Sequence, residues 1–358
     1  MGQRKEIVRS FVSQGLRVFD AVGIAGIKKS TYYYRSNGKP KGKRPSTHTR
    51  KASGAVETND TVVNDIISLI SPDFHDYGYQ TVTHQLRRMG YIINPKKVYR
   101  LMKENNLLHP KIVKKNNQDK TYIAYTVPPL EAPFVTVEAD IKYVYIHEVN
   151  RNAYLITFLC TFCRYAAVWE LDYTMRSRQI ITLLNDFINH PVVKKTRLKR
   201  SIKIIIRTDN GPQFIAKILA EALDKIGIMH EFINPGTPQE NGHIESFHST
   251  VSRLVCNRNI FENLEHARSI FRDFYQAYNN TRVMKSLLYY SPAEFINLWE
   301  SGCVEIKKDK KNREKFYFRE TPPAEKTGGI SPEALFGLNK SNILDHSILN
   351  PLEISPVL

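Results

Sequence analysis

The sequence predicts an α/β core, a mixed sheet flanked by helices, preceded by small all-α helix-turn-helix modules. Three observations carry this. Residues 132–300 open with three runs rich in β-branched and aromatic residues, joined by short links, and then alternate helical and strand patterns. Residues 1–108 instead show short apolar stripes at helical spacing, broken by Gly and Pro. The charge is uneven as well. The 358 residues carry 52 Lys and Arg against 35 Asp and Glu, a net of +17, and residues 1–50 alone hold 12 against 2. Residues 132–300 hold 20 against 17. A concentrated basic segment points to docking on a polyanion, and a balanced core points to something else.

The first module covers residues 1–36. Ile7, Val8, Phe11 and Val12 share one helical face, and Gly15 ends that run. Leu16, Phe19 and Val22 make a second short face, Gly23 to Gly26 turns the chain, and a basic, aromatic third helix begins at Lys28. Helix, tight turn and basic helix is a helix-turn-helix pattern, and it nominates Lys28, Lys29, Ser30, Thr31, Tyr32 and Arg35 as DNA contacts. An ordinary three-helix packing element shows the same pattern. Residues 37–58 read as a basic linker in which Lys43 and Arg44 track phosphates or serve only a solvated tether.

A second helical unit is expected over 59–120. Val62, Ile66, Ile67 and Ile70 form one stripe, His75–Tyr79 a turn, and Thr81–Met89 another helix. Pro95 opens a third, with Val98, Leu101 and Met102 inward and Lys96, Lys97 and Arg100 outward as candidate DNA contacts. A basic outer face is also what any solvated helix presents.

The core spans 130–300. Phe134–Ile146, Ala153–Phe162 and Tyr165–Leu171 read as an antiparallel meander. A helix over about Ser177–Asn189 follows, then a buried strand Lys203–Arg207, a helix Phe214–Ile226 and a strand Met229–Ile233. A Pro/Gly loop leads into a long helix from Gly242 to about Cys256, and a last helix covers Leu264–Asn280. That order of elements is ribonuclease-H-like. Lys194–Lys203, with six basic residues and no acid, reads as a solvated loop, with contact to target DNA as the alternative. Residues 301–358 read as an extended tail with short strands or helices, packing on a partner subunit.

Several classes drop out. No apolar run reaches the roughly 18 residues of a spanning helix, and the N-terminus lacks the apolar stretch of a secretory signal. Four Cys are too few for a disulfide framework. Cys160 and Cys163 read as core thiols, on opposite faces if the strand continues through both. The expected setting is the cytoplasm, with no membrane and no small-molecule substrate.

Three acids stand where an acid is costly unless used. Asp140 lies inside an apolar strand, Asp209 just beyond Ile204–Ile206, and Glu245 in the first turn of the long helix. Three carboxylates gathered at one sheet end repel one another, and hard divalent cations such as Mg²⁺ or Mn²⁺ relieve that. Two such ions suit in-line displacement at a phosphodiester.

The motifs around these acids resemble the insertion-sequence transposases of the DDE recombinase superfamily, the integrase-catalytic-core, open-reading-frame-B class, to which retroviral integrases are related. Arg207-Thr-Asp-Asn-Gly-Pro-Gln-Phe214 looks like the second-Asp motif and Thr237-Pro-Gln-Glu-Asn-Gly-His-Ile-Glu245-Ser-Phe-His248 the Glu motif. Asp209 and Glu245 are separated by 35 residues, the spacing of the integrase-like branch. Ser291-Pro-Ala-Glu-Phe295 resembles the segment that closes the core, and Tyr77–Leu108 the helical unit before it. The first-Asp motif departs from the pattern: Val137 stands where the family often has an aromatic residue, and Glu138 is a nearby second acid. The resemblance implies a DNA transposase that cleaves element ends and joins the freed 3′-hydroxyl to target DNA. It implies Asp140, Asp209 and Glu245 as catalytic residues and metal ligands; the polar Gln239, Asn241 and His243 lie near the scissile DNA or serve only loop and N-cap chemistry. It also implies a homo-oligomer holding two ends, associated with the nucleoid of a bacterial cell. A catalytically inactive, domesticated DNA-binding protein and a nuclease of the same fold are the alternatives.

Overall fold

In the computed structural model, residues 2–35, 45–109, 130–200, 203–234, 236–310 and 312–319 are described. The chain divides into two compact units, residues 1–47 and the remainder from His48 onward. The first unit holds α1 (Gly2–Ser13), α2 (Val18–Ile24) and α3 (Lys29–Tyr33). Val8, Ala21 and Val22 are its buried centre, with Phe11, Val12, Ile27 and Tyr32 packed around them. Gly26, at φ 62°, takes the left-handed turn that lets α3 fold back.

The second unit begins with a correction to the expected linker. Residues 48–58 are not an irregular arm: β1 (His48–Arg50) pairs antiparallel with β2 (Val56–Thr58). Gly54, at φ 89°, makes the turn, and Thr49 is buried. The β-branched residues of this short stretch were masked in the sequence by the basic residues around them. Helices α4 (Asn59–Ile70), α5 (Tyr79–Arg88) and α6 (Pro95–Glu104) follow. Thr58 caps α4 and Asn94 caps α6 through side-chain oxygens, ahead of Pro95 at the first helical position. Val62, Ile66, Val82, Leu86, Val98, Leu101 and Met102 interlock as their own core.

The central sheet has the strand order β5-β4-β3-β6-β7. Strands β3 (Thr136–Ile146), β4 (Arg151–Cys160) and β5 (Ala166–Asp172) form the antiparallel meander. Strands β6 (Ile205–Thr208) and β7 (Met229–Phe232) run parallel to β3. This is the ribonuclease-H-like mixed sheet. Alternation along β3 splits the interior into two cores. Val137 and Ala139 join one with α7 (Ser177–Asn189) and α9 (Lys217–Lys225). Val144 and Ile146 join the other with α10 (Gly242–Val251) and α11 (Leu264–Asn280). The helix α12 (Pro292–Glu300) closes the core, fixed by a capping box of Ser291 and Glu294.

Three further expectations change. The basic stretch 194–203 is largely helical, in α8 (Pro191–Arg200), because Pro191 starts a new helix and buried Val193 anchors it. Residues 304–318 form the hairpin β8 (Val304–Lys308) and β9 (Glu314–Phe318). Its Val304 and Phe316 pack into this chain's own core. Residues 321–358 lie outside the described residues. The two core thiols are not on opposite faces: β4 ends at Cys160, the chain turns, and the Cys163 amide donates to the Cys160 sulfur at 3.5 Å.

Candidate active site

The site lies at the carboxyl end of β6, beside the middle of β3. Asp140 is carried by β3, directly beside β6, and Asp209 follows the last residue of β6. Glu245 is exposed in the first turn of α10. Burial, together with the charges of Asp209 and Glu245, pushes the Asp140 carboxyl up to about 6, against the partial relief of the Ile141 amide and Lys142. The three acids thus feel one another at one place. Among the described residues, no group of three or more His, Cys, Asp or Glu stands ready to hold a metal ion as the side chains lie.

The backbone around each acid is tightly organised. The Gly211 amide donates to Asp209 Oδ1 at 3.0 Å, and Asn210 Nδ2 donates to the Ile233 carbonyl at 2.8 Å. A Cβ on Gly211 would stand 2.5 Å from Gln213 Nε2 and 3.0 Å from Asp209 Oδ1, so the turn is shaped for glycine. Arg207 ties three segments together. It donates to Glu231 Oε2 at 2.9 Å and to the Glu240 carbonyl at 3.1 Å. Glu240 in turn accepts from the Asn234 amide at 2.8 Å.

Glu138 and Asp140 share one face of β3, and the structure separates their roles. Glu138 is 1% exposed, and its Oε2 accepts the Ile244 amide at 2.7 Å. It therefore caps the start of α10, the helix that carries Glu245. Burial pushes its carboxyl up to about 7, although Arg164 and Arg207 act the other way. Asp140 is the acid that faces Asp209 and Glu245.

Sequence reasoning quoted His248 only as the end of a motif. It lies one turn beyond Glu245, with Nδ1 3.5 Å from Asp140 Oδ2. Burial lowers its pKa to about 4, so the imidazole is neutral near pH 7. The spacing of three residues after Glu245 on a helix was the available signal.

The expected DNA contacts fall into three groups. Lys28, Lys29, Ser30 and Arg35 are exposed on or beside α3, whereas Thr31 and Tyr32 are half-buried and Tyr32 packs into the helical core. Lys96 is exposed, but Lys97 donates to the His48 carbonyl at 2.7 Å and Arg100 lies 3.8 Å from Glu104. Asn241 is buried, and burial lowers the pKa of half-buried His243 to about 3. Lys43, Arg44 and the Gln239 side chain lie outside the described residues.

The chain matches the Integrase core domain family over residues 131–238 and a second Integrase core domain family over 226–292. An HTH-like domain family matches residues 58–115. The chain is 26% identical to a 39.2 kDa protein of insertion element IS476 from Xanthomonas euvesicatoria, over 61% of this chain and 60% of that one. It is 25% identical to the transposase of insertion sequence IS904 from Lactococcus lactis, over 69% of this chain and 98% of that one. The chain thus spans about three fifths of the IS476 protein and nearly all of the IS904 transposase. A chain of the simian T-cell lymphotropic virus intasome structure, in complex with PP2A regulatory subunit B56 gamma, aligns with a TM-score of 0.40 at 18% identity, over 62% of this chain and 70% of that one. With integrase-core matches spanning all three acids and an HTH-like match just upstream, the chain carries an integrase core domain preceded by an HTH-like domain and is similar to the transposases of insertion sequences.

Proposed function

We propose that this protein is a DNA transposase that cleaves the ends of an insertion sequence and joins the 3′-hydroxyl to target DNA. One observation carries the proposal: half-buried Asp140, in the middle of β3, is held within the field of Asp209 and Glu245 beside the carboxyl end of β6. An all-oxygen donor set of like charges fits a hard divalent cation, Mg²⁺ or Mn²⁺, and Asp140, Asp209 and Glu245 would hold it, as two ions. When bound, the metal supplies activation of the attacking oxygen and stabilisation of the leaving oxygen.

The chain's own residues orient that chemistry. The Gly211 amide points Asp209, Glu138 fixes the start of α10 and with it Glu245, and His248 stands against Asp140. Attack is by water in the first step and by the freed 3′-hydroxyl in the second, so no side-chain nucleophile is needed. Recognition of the ends falls to the two basic helical modules, residues 1–36 and 59–120. Two ends must meet for joining, which favours a homo-oligomer on DNA within the bacterial cytoplasm. Among the described residues, no helix is long and apolar enough to cross a membrane.

The test is strand transfer in vitro with Mg²⁺ and labelled duplexes taken from the terminal repeats that bracket the coding sequence. Wild type should join, and Glu245→Gln should bind the ends yet fail to join. Normal joining by that variant would overturn the assignment. Cleavage by wild type without joining would favour the nuclease alternative.

A further inference from the structure

We propose that Asp76 is a positioning residue: it locks the α4–α6 unit to the helix that carries Glu245, and so sets where along the DNA the carboxylates act. This rests on the transposase reading above and deepens it.

Asp76 sits in the turn between α4 and α5, with its side chain 13% exposed between two arginines. Its Oδ1 accepts from Arg282 Nη2 at 2.8 Å. Its Oδ2 meets Arg253, which lies in a π-helical segment, Ser252–Cys256, that continues α10 beyond Glu245. A π-helical segment is a costly irregularity that often marks a functional point in a helix. Arg282 follows the end of α11, and its Nη1 donates to the Phe74 carbonyl at 2.7 Å. Phe74, at φ 63°, holds a conformation unfavourable for a bulky residue and packs edge-on against Phe274 at 5.5 Å. The Tyr77 hydroxyl donates to the Thr281 carbonyl at 3.2 Å and accepts the Val283 amide at 3.0 Å. Val283 itself belongs to the apolar core of the helical unit.

The helical unit is therefore bolted to the catalytic body. One carboxylate serves both attachment points: the extension of the Glu245 helix and the end of α11. A carboxylate held between one largely buried arginine, Arg282, and one exposed arginine, Arg253, is a poor source of net stability and a good source of unique register. Register matters because a small misplacement of reacting groups costs orders of magnitude in rate. DNA held by the helical unit would then present a fixed phosphodiester to the site.

The experiment uses the full-length chain, Mg²⁺ and a 5′-labelled terminal-repeat duplex, and reads the position of each cut. Asp76→Asn and Arg253→Gln break the same pair from opposite sides. Arg253→Gln leaves Asp76 with Arg282, so it keeps the fold if the other variant does not. Both should bind the duplex within about twofold of wild type, yet cut at the native position about a hundredfold more slowly, with cuts spread to neighbouring positions. Asp76→Glu should restore the single position. In parallel, amide exchange at residues 252–256 should quicken in both variants without DNA, while β3 and β4 stay protected. Cutting at one native position and native rate by both variants would overturn the proposal. So would loss of binding in Arg253→Gln alone, which would make Arg253 a direct DNA contact. Failure of the wild type to cut any duplex would instead overturn the transposase reading, and the exchange result would still test the lock.

Discussion

Asp140 and Asp209 are neighbours across two parallel strands. Thr136 pairs with Ile205 and Glu138 with Arg207, where the ladder ends; each acid lies two residues beyond that pair on its own segment, and the Asp209 charge helps to raise the Asp140 carboxyl. Sixty-eight intervening residues, with three strands and two helices, separate them in sequence. Their proximity makes each acid sensitive to the other. Asp209→Asn should therefore bring the Asp140 carboxyl back toward its ordinary range while lowering joining by about 10³-fold. Strand-transfer rates on labelled ends check the loss, and carboxyl NMR titration checks the shift.

Glu138 gives a pH dependence of defined sign. Its folded pKa, about 7, lies above the ordinary 4.5. Between those values the unfolded chain has already released the proton that the folded protein still holds. The contribution of Glu138 is thus fully present below about pH 4.5 and is lost as the pH rises through 7. Glu138→Gln removes the ionisation. Its stability relative to wild type should improve across that window by up to roughly 3 kcal/mol. Urea unfolding of both proteins at pH 4.5, 6 and 8 measures it. Buried His190, lowered to about 4, works in the opposite direction, but it is common to both proteins and cancels.

Gly211→Ala should harm activity more than stability. The new methyl would press on Gln213 and on Asp209 Oδ1 in a turn whose backbone is otherwise tolerant. We expect joining to fall about tenfold, with stability changed by less than about 1 kcal/mol. Adding Gln213→Ala removes the closer contact and should recover part of the rate.

Asn279 is a purely structural counterpart. Its Oδ1 accepts the Ala166 amide at 3.0 Å and its Nδ2 donates to the Ala166 carbonyl at 2.8 Å, pinning α11 to the start of β5. Asn279→Ala strands both buried backbone groups and should cost about 3 kcal/mol. Denaturant melts check the loss, and a duplex-binding assay at low temperature should be nearly unaffected.

Removing residues 1–47 tests the basic module. The second unit should still fold, and its DNA affinity should fall, with a shallower dependence on salt because fewer phosphates are neutralised. Binding measured at several salt concentrations gives the slope. An unchanged slope would leave recognition to α4–α6.

Much of this was legible in sequence because the signals are local. The β-branched run at Thr136–Ile146 made a strand, Pro95 opened a helix after the Asn94 cap, and the helix spans Ser177–Asn189 and Leu264–Asn280 agree at both ends. Elsewhere local signals misled. The charges of 194–200 hid a helix whose start is set by Pro191 and whose anchor is buried Val193. The hairpin at 48–58 depends on α6, since Lys97 reaches back to the His48 carbonyl.

By itself, the sequence determined the chemistry: which acids stand in costly positions, how Asp209 and Glu245 are spaced, and where basic charge collects. The tertiary structure decided how the neighbouring polar groups divide the work. Glu138 and Asp140 are two residues apart on one strand face, and only the approach of the α10 amide makes one a buried cap and leaves the other to the site. His248 and Asp76 gained their roles the same way, through contacts across 108 and 177 residues of chain. Hydrophobic pattern and turn chemistry are written locally, whereas desolvation and charge pairing depend on what the fold brings within a few ångströms.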